Sequence, residues 1–265
     1  AESLVRVLEA ANEQASDLSV GDRQEIEDAL LAAYRDYERW LPLADLILGQ
    51  GERSNDDDEK VVLYRRAAEI HAEHREDHCR AAEIYEKALT AKSDDRGLML
   101  TLSDAYTAAG RTSQSIGVLE RLVSTYQGRR SKDLAEVHHR IAQAHLSGGD
   151  DVAALQSLKS ARKIDPGSIA IQYQLGQLSI RLYDEGDDET LSGTYLKQAS
   201  DCFTALLMQR LDGDSVVSKA EVFYYLAQVK QRDGDSKQAI QKLERALAND
   251  PSLKAAQDLL DELRQ

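Results

Sequence analysis

Apolar residues in this chain recur at helical intervals, with small residues and turn residues at fixed places between them. In 220–253, Val222, Tyr225, Leu226 and Val229 form one stripe, and after Gly234 a second begins with Ala239, Ile240, Leu243 and Leu247. Both stripes follow the i, i+3, i+4, i+7 spacing of an amphipathic helix. Gly234 ends the first helix, where a positive φ is needed and glycine adopts it freely. Asp235 or Ser236 caps the second by accepting a free backbone N–H. Pro251 falls beyond its end, where a missing N–H does little harm. Residues 135–168 repeat the pattern: Ile141 and Ala142 align with Leu226 and Ala227, Gly149 with Gly234, Ala154 with Ala239, Leu158 with Leu243, Ala161 with Ala246 and Pro166 with Pro251. A period of about 34 residues marks an array built from one supersecondary unit. Such a unit cannot bury its apolar face alone, so neighbours stack. Ala227, Ala239 and Ala246 fall where helix backbones approach closely, and a larger side chain there is expected to cost about 1–3 kcal/mol.

The set Leu226, Ala227, Gly234, Ala239, Leu243, Ala246 and Pro251, with its match in 135–168, resembles the tetratricopeptide repeat family. Residues 96–129 keep Leu102, Tyr106, Gly110, Leu119 and Leu122, with Ser115 in place of the usual alanine and no terminal proline. Residues 62–95 keep Ala81, Tyr85 and Ala88 but carry Glu76 at the first-helix turn. Residues 169–211 carry Leu175, Gly176, Ala199 and Phe203 around an insertion at 184–195, and 24–57 is a degenerate copy with Leu30, Tyr34 and Trp40. The resemblance covers nearly the whole chain. It implies an all-α fold, a right-handed superhelical solenoid of antiparallel helix pairs, elongated and without an internal domain boundary. Residues 1–23 read as a half-repeat, because Val7-Leu8-Glu9 sits in a context like Val118-Leu119-Glu120 of a second helix. The chain is therefore read as a piece of a longer array cut on its N-terminal side. Residues 254–265 read as a capping helix with Leu259, Leu260 and Leu263 turned inward. The acidic insertion has two readings: an exposed, mobile loop, or a backward extension of the next helix through Leu191 and Tyr195.

Charge narrows the partner classes. The formal net charge is −14, from 47 acidic and 33 basic residues. That argues against a general nucleic-acid binder, which needs clustered Lys and Arg to neutralise phosphates. Arg129, Arg130 and Lys132 form one small basic cluster, read as a solvated loop. No apolar run approaches the ~20 residues that span a bilayer. The chain is read as soluble and cytoplasmic, although a removed signal peptide would leave no trace. Cys79 and Cys202 lie far apart in sequence and make neither a metal spacing nor a disulfide framework.

Candidate chemistry is sparse. His71, His74 and His78, with Cys79, have the spacing of a metal site on a helix. His78 falls at the turn, however, and the group reads as structural or surface histidine. His138 falls in the core-facing register. The acidic stretches Asp184–Tyr195, Asp212–Phe223 and Asp233–Glu244 each miss ligand or glycine positions of a calcium loop and read as turns and caps. There is no G-x-S-x-G, P-loop, H-E-x-x-H or C-x-x-C. No enzyme activity, cofactor or metal is expected.

Family resemblance implies a groove lined by the first helix of each unit. In this sequence the register selects Arg66 and Ile70, Leu100 and Asp104, His139 and Gln143, Tyr173 and Gln177, and Tyr224 and Gln228. One turn further lie Arg181 and Arg232. Three units thus place a glutamine one turn after a ring, a ladder suited to an extended peptide, and Tyr and Arg are enriched at interface hot spots. The bland reading is a solvated face carrying these residues by chance. Chaperone-tail clamps of the family use lysine and asparagine here, and none of these pairs has them. The expected function is a scaffold that binds a protein or peptide partner. The alternatives are homo-oligomerisation through the N-terminal half-repeat, whose Leu4, Val7 and Leu8 lack a neighbour, or a non-catalytic regulatory region of a larger protein.

Overall fold

The protein is described by a computed structural model covering residues 2–13, 19–186, 189–211 and 215–264. These form fourteen α-helices and no strand. Their contacts gather into two compact units, Ala1–Thr125 and Tyr126–Gln265. The sequence pattern, which runs on without a break, gives no sign of that division. It falls where the 96–129 copy lacks its terminal proline and Gln127 and Gly128 both take positive φ, 50° and 74°.

The first unit holds α1 (Glu2–Glu13), α2 (Val20–Asp36), α3 (Trp40–Arg53), α4 (Asp57–Arg75), α5 (His78–Ala91), α6 (Arg96–Ala108) and α7 (Thr112–Ser124). The second holds α8 (Lys132–Ser147), α9 (Asp151–Ile164), α10 (Ile169–Glu185), α11 (Glu189–Leu207), α12 (Lys219–Arg232), α13 (Ser236–Asn249) and α14 (Lys254–Arg264). Within each unit every helix packs on the next in sequence. Each unit is thus a stack of helical hairpins.

The sharp turn inside each hairpin explains the residues found there. Gly110, Gly149 and Gly234 take φ of 71°, 78° and 80°, and Glu38 and Glu76 take φ of 52° at the corresponding turns. The N–H beyond each glycine reaches back to a carbonyl five residues earlier: Arg111 to Tyr106, Asp150 to His145 and Asp235 to Lys230. Arg39 does the same to Tyr34. This closes the helix end by satisfying carbonyls that have no helical partner. The following helix starts on an aspartate in three of these turns: Asp77, Asp150 and Asp235 accept from the backbone N–H of Arg80, Ala153 and Gln238. Asp235, not Ser236, is therefore the cap of α13.

Small residues sit where hairpins meet. Ala142, Ala154, Ala161, Ala227, Ala239 and Ala246 are completely buried. Ser115, which replaces an alanine, is equally buried, but its hydroxyl donates to the Ser103 carbonyl at 3.0 Å and lies 2.9 Å from the Thr107 hydroxyl. The substitution is tolerated because the buried hydroxyl keeps hydrogen-bond partners. Gly176 on α10 permits the closest approach: a Cβ there would lie 2.6 Å from the ring of Phe203.

Most of the insertion is helical. Asp184 and Glu185 complete α10, and α11 begins at Glu189, so Leu191 and Tyr195 extend the second helix backward and the loop reading does not hold for them. Asp187 and Asp188, like 212–214 in the second calcium-like stretch, lie outside the described residues. So do 14–18 of the half-repeat, whose α1 buries Val5 and exposes Leu4 and Val7. Among the described residues no helix is long and apolar enough to cross a membrane.

Candidate functional site

The second unit carries the candidate face on α8, α10 and α12, the first helices of three successive hairpins. Its framework begins with Gly176. The missing side chain admits Phe203 of α11, and Phe203 stacks on Tyr225 of α12 with ring centroids 5.0 Å apart and planes within 6°. Tyr225 then meets Tyr173 of α10 edge-on, with centroids 5.7 Å apart. Its hydroxyl accepts from Gln177 Nε2 at 2.8 Å and lies 3.3 Å from the Tyr173 hydroxyl. Tyr224 tilts against Tyr225 with centroids 5.6 Å apart. Burial, followed by the hydrogen bond to Tyr225, pushes the Tyr173 phenol above its ordinary range. Tyr173, Tyr224 and Tyr225 are half-buried and present flat, partly exposed faces above the completely buried Phe203.

Beside this cluster lie two arginines. Arg232 holds Asp184 through Nε and Nη2, each at 2.7 Å, and its Nη1 donates to the Gln228 carbonyl at 3.2 Å. The bond to Asp184 raises the guanidinium further. Tyr183 donates to the Arg232 carbonyl at 3.2 Å. Arg181 pairs with Asp151 of α9. Both arginines therefore already have carboxylate partners inside the unit. Arg232 ties the ends of α10 and α12 and Arg181 ties α10 to the start of α9, so an incoming anion competes with Asp184 or Asp151.

The sequence-selected residues divide clearly. Tyr173, Gln177, Tyr224, Gln228 and Arg232 come together on α10 and α12, half-buried, and Gln143 and Arg181 are exposed. His139 is corrected: it is 7% exposed, with Nε2 2.6 Å from Gln174 Oε1, so it ties α8 to α10 and offers no free ring face. Its bond to Glu136 is the main cause that lowers that carboxyl. In the first unit Arg66 on α4 is half-buried and Asp104 on α6 is exposed, whereas Ile70 is buried in the core. The helical spacing places Tyr225 on the apolar stripe of α12. The signal for its second role is the adjacent pair Tyr224-Tyr225, which turns one ring to each side of the helix edge.

The histidines resolve individually. His71 is buried with neither ring nitrogen partnered, and burial lowers its pKa. His74 stacks on Trp40 with centroids 3.7 Å apart. His138 is half-buried and likewise lowered by burial. Among the described residues no three or more His, Cys, Asp or Glu side chains gather as a metal site. Cys79 is exposed, while Cys202 is buried and its thiol is pushed up to about 11, chiefly by desolvation.

A family model described as an uncharacterized protein conserved in bacteria (DUF2225) matches residues 155–265. No curated protein matches the sequence. Solved structures do match in shape. The C-terminal part of a TPR repeat-containing protein from Cytophaga hutchinsonii is 15% identical, with a TM-score of 0.60, 97% of this chain and 93% of that one covered. MamA is 18% identical with a TM-score of 0.56, over 73% of this chain and 93% of that one. YrrB, described as a TPR protein with an unusual peptide-binding site, is 18% identical with a TM-score of 0.54, over 75% of this chain and 91% of that one. Repeat-by-repeat alignment, the αL turns at Glu38, Glu76, Gly110, Gly149 and Gly234 and these likenesses agree: in fold, the chain is a tetratricopeptide-type repeat protein.

Proposed function

We propose that the chain is a non-catalytic interaction scaffold whose second unit binds an extended peptide segment of a partner protein across α8, α10 and α12. The observation that carries this reading is the Tyr173–Gln177–Tyr225 cluster with Tyr224 and Gln228 beside it. Rigid aromatic faces supply contact area at little entropic cost, and the glutamine amides can pair with a peptide backbone. Phe203 and Gly176 hold the rings in place before any partner arrives, which lowers the ordering cost of binding. YrrB, with its peptide-binding site on a similar fold, supports the ligand class. The groove residues Arg66 and Asp104 remain part of the proposal as a separate contact area on the first unit.

The test is selection of linear peptides from a displayed library, followed by affinity measurement on Tyr224→Ala and Gln228→Ala chains. Loss of about tenfold on Tyr224→Ala is expected for a hot-spot aromatic. Peptides that bind both variants as tightly as the parent chain would reject the face.

Self-assembly is the second reading, favoured by one observation: Leu4 and Val7 on α1 are 57% and 65% exposed. Sedimentation of the parent and a Leu4→Glu/Val7→Glu chain separates the two. A monomer at every concentration removes the reading.

A further inference from the structure

The second unit has another concave feature, built from its second helices. A groove of about 450 Å³ lies between α9 and α11. Lys159, Arg162 and Lys163 of α9 and Lys197 of α11 line it. The three α9 residues fall at i, i+3 and i+4, one face of the helix. Asp201 is the single acidic lining residue and leaves the lining at +3, in a chain whose net charge is −14. Among the described residues none of these four cations has a hydrogen-bond or ion-pair partner.

Local folding needs do not explain the arrangement. Arg162 and Lys163 occupy the last turn of α9, where cations complement the helix dipole. Lys159 lies a turn earlier and Lys197 is on a different helix. Like charges one turn apart on a helix, and convergent charges across a groove, repel one another. Such a convergence is unfavourable in the empty protein and favourable once an anion lies among the four. A further polar group points the same way: Gln198 lines the groove, and its Nε2 is buried with no hydrogen-bond partner. A donor left unmade in the interior is costly, and an acceptor oxygen in the groove would satisfy it. Buried Leu175 and the ring of Pro166 supply an apolar wall.

We propose that this groove binds a small phosphorylated ligand carrying two linked phosphates. Volume and charge both fit. Small-molecule sites span about 300–1,000 Å³. Each phosphate carries about −1.5 to −2 at neutral pH, so a diphosphate matches a +3 lining, whereas a single phosphate leaves part of it uncompensated. Arg162 donates in a fork suited to phosphate oxygens, the lysines act as point charges, and Gln198 donates through its buried amide.

The experiment is calorimetric titration of the whole chain with inorganic pyrophosphate, with orthophosphate and polyglutamate as comparisons. Pyrophosphate is expected to bind at least about tenfold more tightly than orthophosphate, and raising salt from about 50 to 200 mM weakens it several-fold. Lys159→Glu/Lys197→Glu should lose at least about tenfold, with thermal melting showing that the chain still folds. Asp201→Asn removes the opposing charge and should gain about threefold, a change no unfolded chain can mimic. The proposal is overturned by no pyrophosphate binding at millimolar concentration, by unchanged binding in the double variant, or by polyglutamate binding as tightly as pyrophosphate.

Discussion

The hairpin α4–α5 in the first unit and the hairpin α12–α13 in the second have the same backbone plan and meet it with different residues. Both close the first helix on a left-handed residue and start the second on an aspartate cap. In α12–α13 that residue is Gly234; in α4–α5 it is Glu76. Both units fill their hairpins with alanine and leucine, and each buries polar groups: the first His71 with unpartnered nitrogens and Glu27 between Gln50 and Arg53, the second His139 and Gln172. Stacking imposes the turn geometry, and the sequence satisfies it at different cost in these two hairpins. A hairpin that closes on Glu76 carries the left-handed strain that Gly234 avoids, and the organised aromatic face lies on α10 and α12 of the second unit.

The largest effect should come from emptying the framework of that face. Phe203→Ala removes a fully buried ring that fits over Gly176 and stacks on Tyr225. A loss of about 3–5 kcal/mol in unfolding free energy is expected, read by denaturant titration. A loss below about 1 kcal/mol would mean that the ring is not part of the packed core.

Next comes the buried carboxylate of the first unit. Glu27 is 4% exposed, with Arg53 Nη2 at 2.5 Å and Gln50 Nε2 at 2.8 Å. Arg53→Ala leaves Glu27 one donor short. Because Arg53 is itself half-exposed, water takes part of its place, and about 1–3 kcal/mol is expected. A Glu27→Gln change in the same background should recover part of the loss by removing the charge.

The turn comparison can be broken from both sides. Gly234→Ala forces a Cβ into the left-handed region and should cost about 1–2 kcal/mol. Glu76→Gly relieves the same strain but adds freedom to the unfolded chain, so its net effect lies within about 1 kcal/mol of zero or stabilises. Equal losses from both changes would show that the two turns are not equivalent.

The smallest effect is on pH dependence. Burial lowers the pKa of His71 and of His138 below the ordinary 6.5. The unfolded chain therefore takes up protons first as pH falls. Stability is full above about pH 6.5 and declines as pH drops through the folded-state values. His71→Phe should flatten that decline in the first unit, and unchanged acid sensitivity in that variant would remove His71 as its source.

Much of this fold was readable because repetition amplifies weak signals. Gly149, Gly234, Pro166, Pro251 and the paired alanines each constrain one backbone position, and their recurrence fixes the hairpin. Less was readable where a residue's role depends on a partner distant in sequence. Tyr225 lies on the apolar stripe, yet its hydroxyl meets Tyr173 and Gln177, roughly one and a half repeats away. His139 occupies the expected register, but Gln174 closes over it. Arg181 and Arg232 read as free cations until Asp151 and Asp184 are brought beside them. The division near Tyr126 was invisible because the helical pattern continues unbroken on both sides of it.

Site-specific photo-cross-linking in living cells tests the interaction face most directly. A photoreactive residue is placed singly at Gln143 or Gln228 on the first helices, and at exposed Gln156 of α9 or Gln241 of α13 on the second helices. Discrete adducts to a partner protein from positions 143 and 228, absent from 156 and 241, are the expected result. Adducts from 156 and 241 with none from 143 and 228 would contradict it.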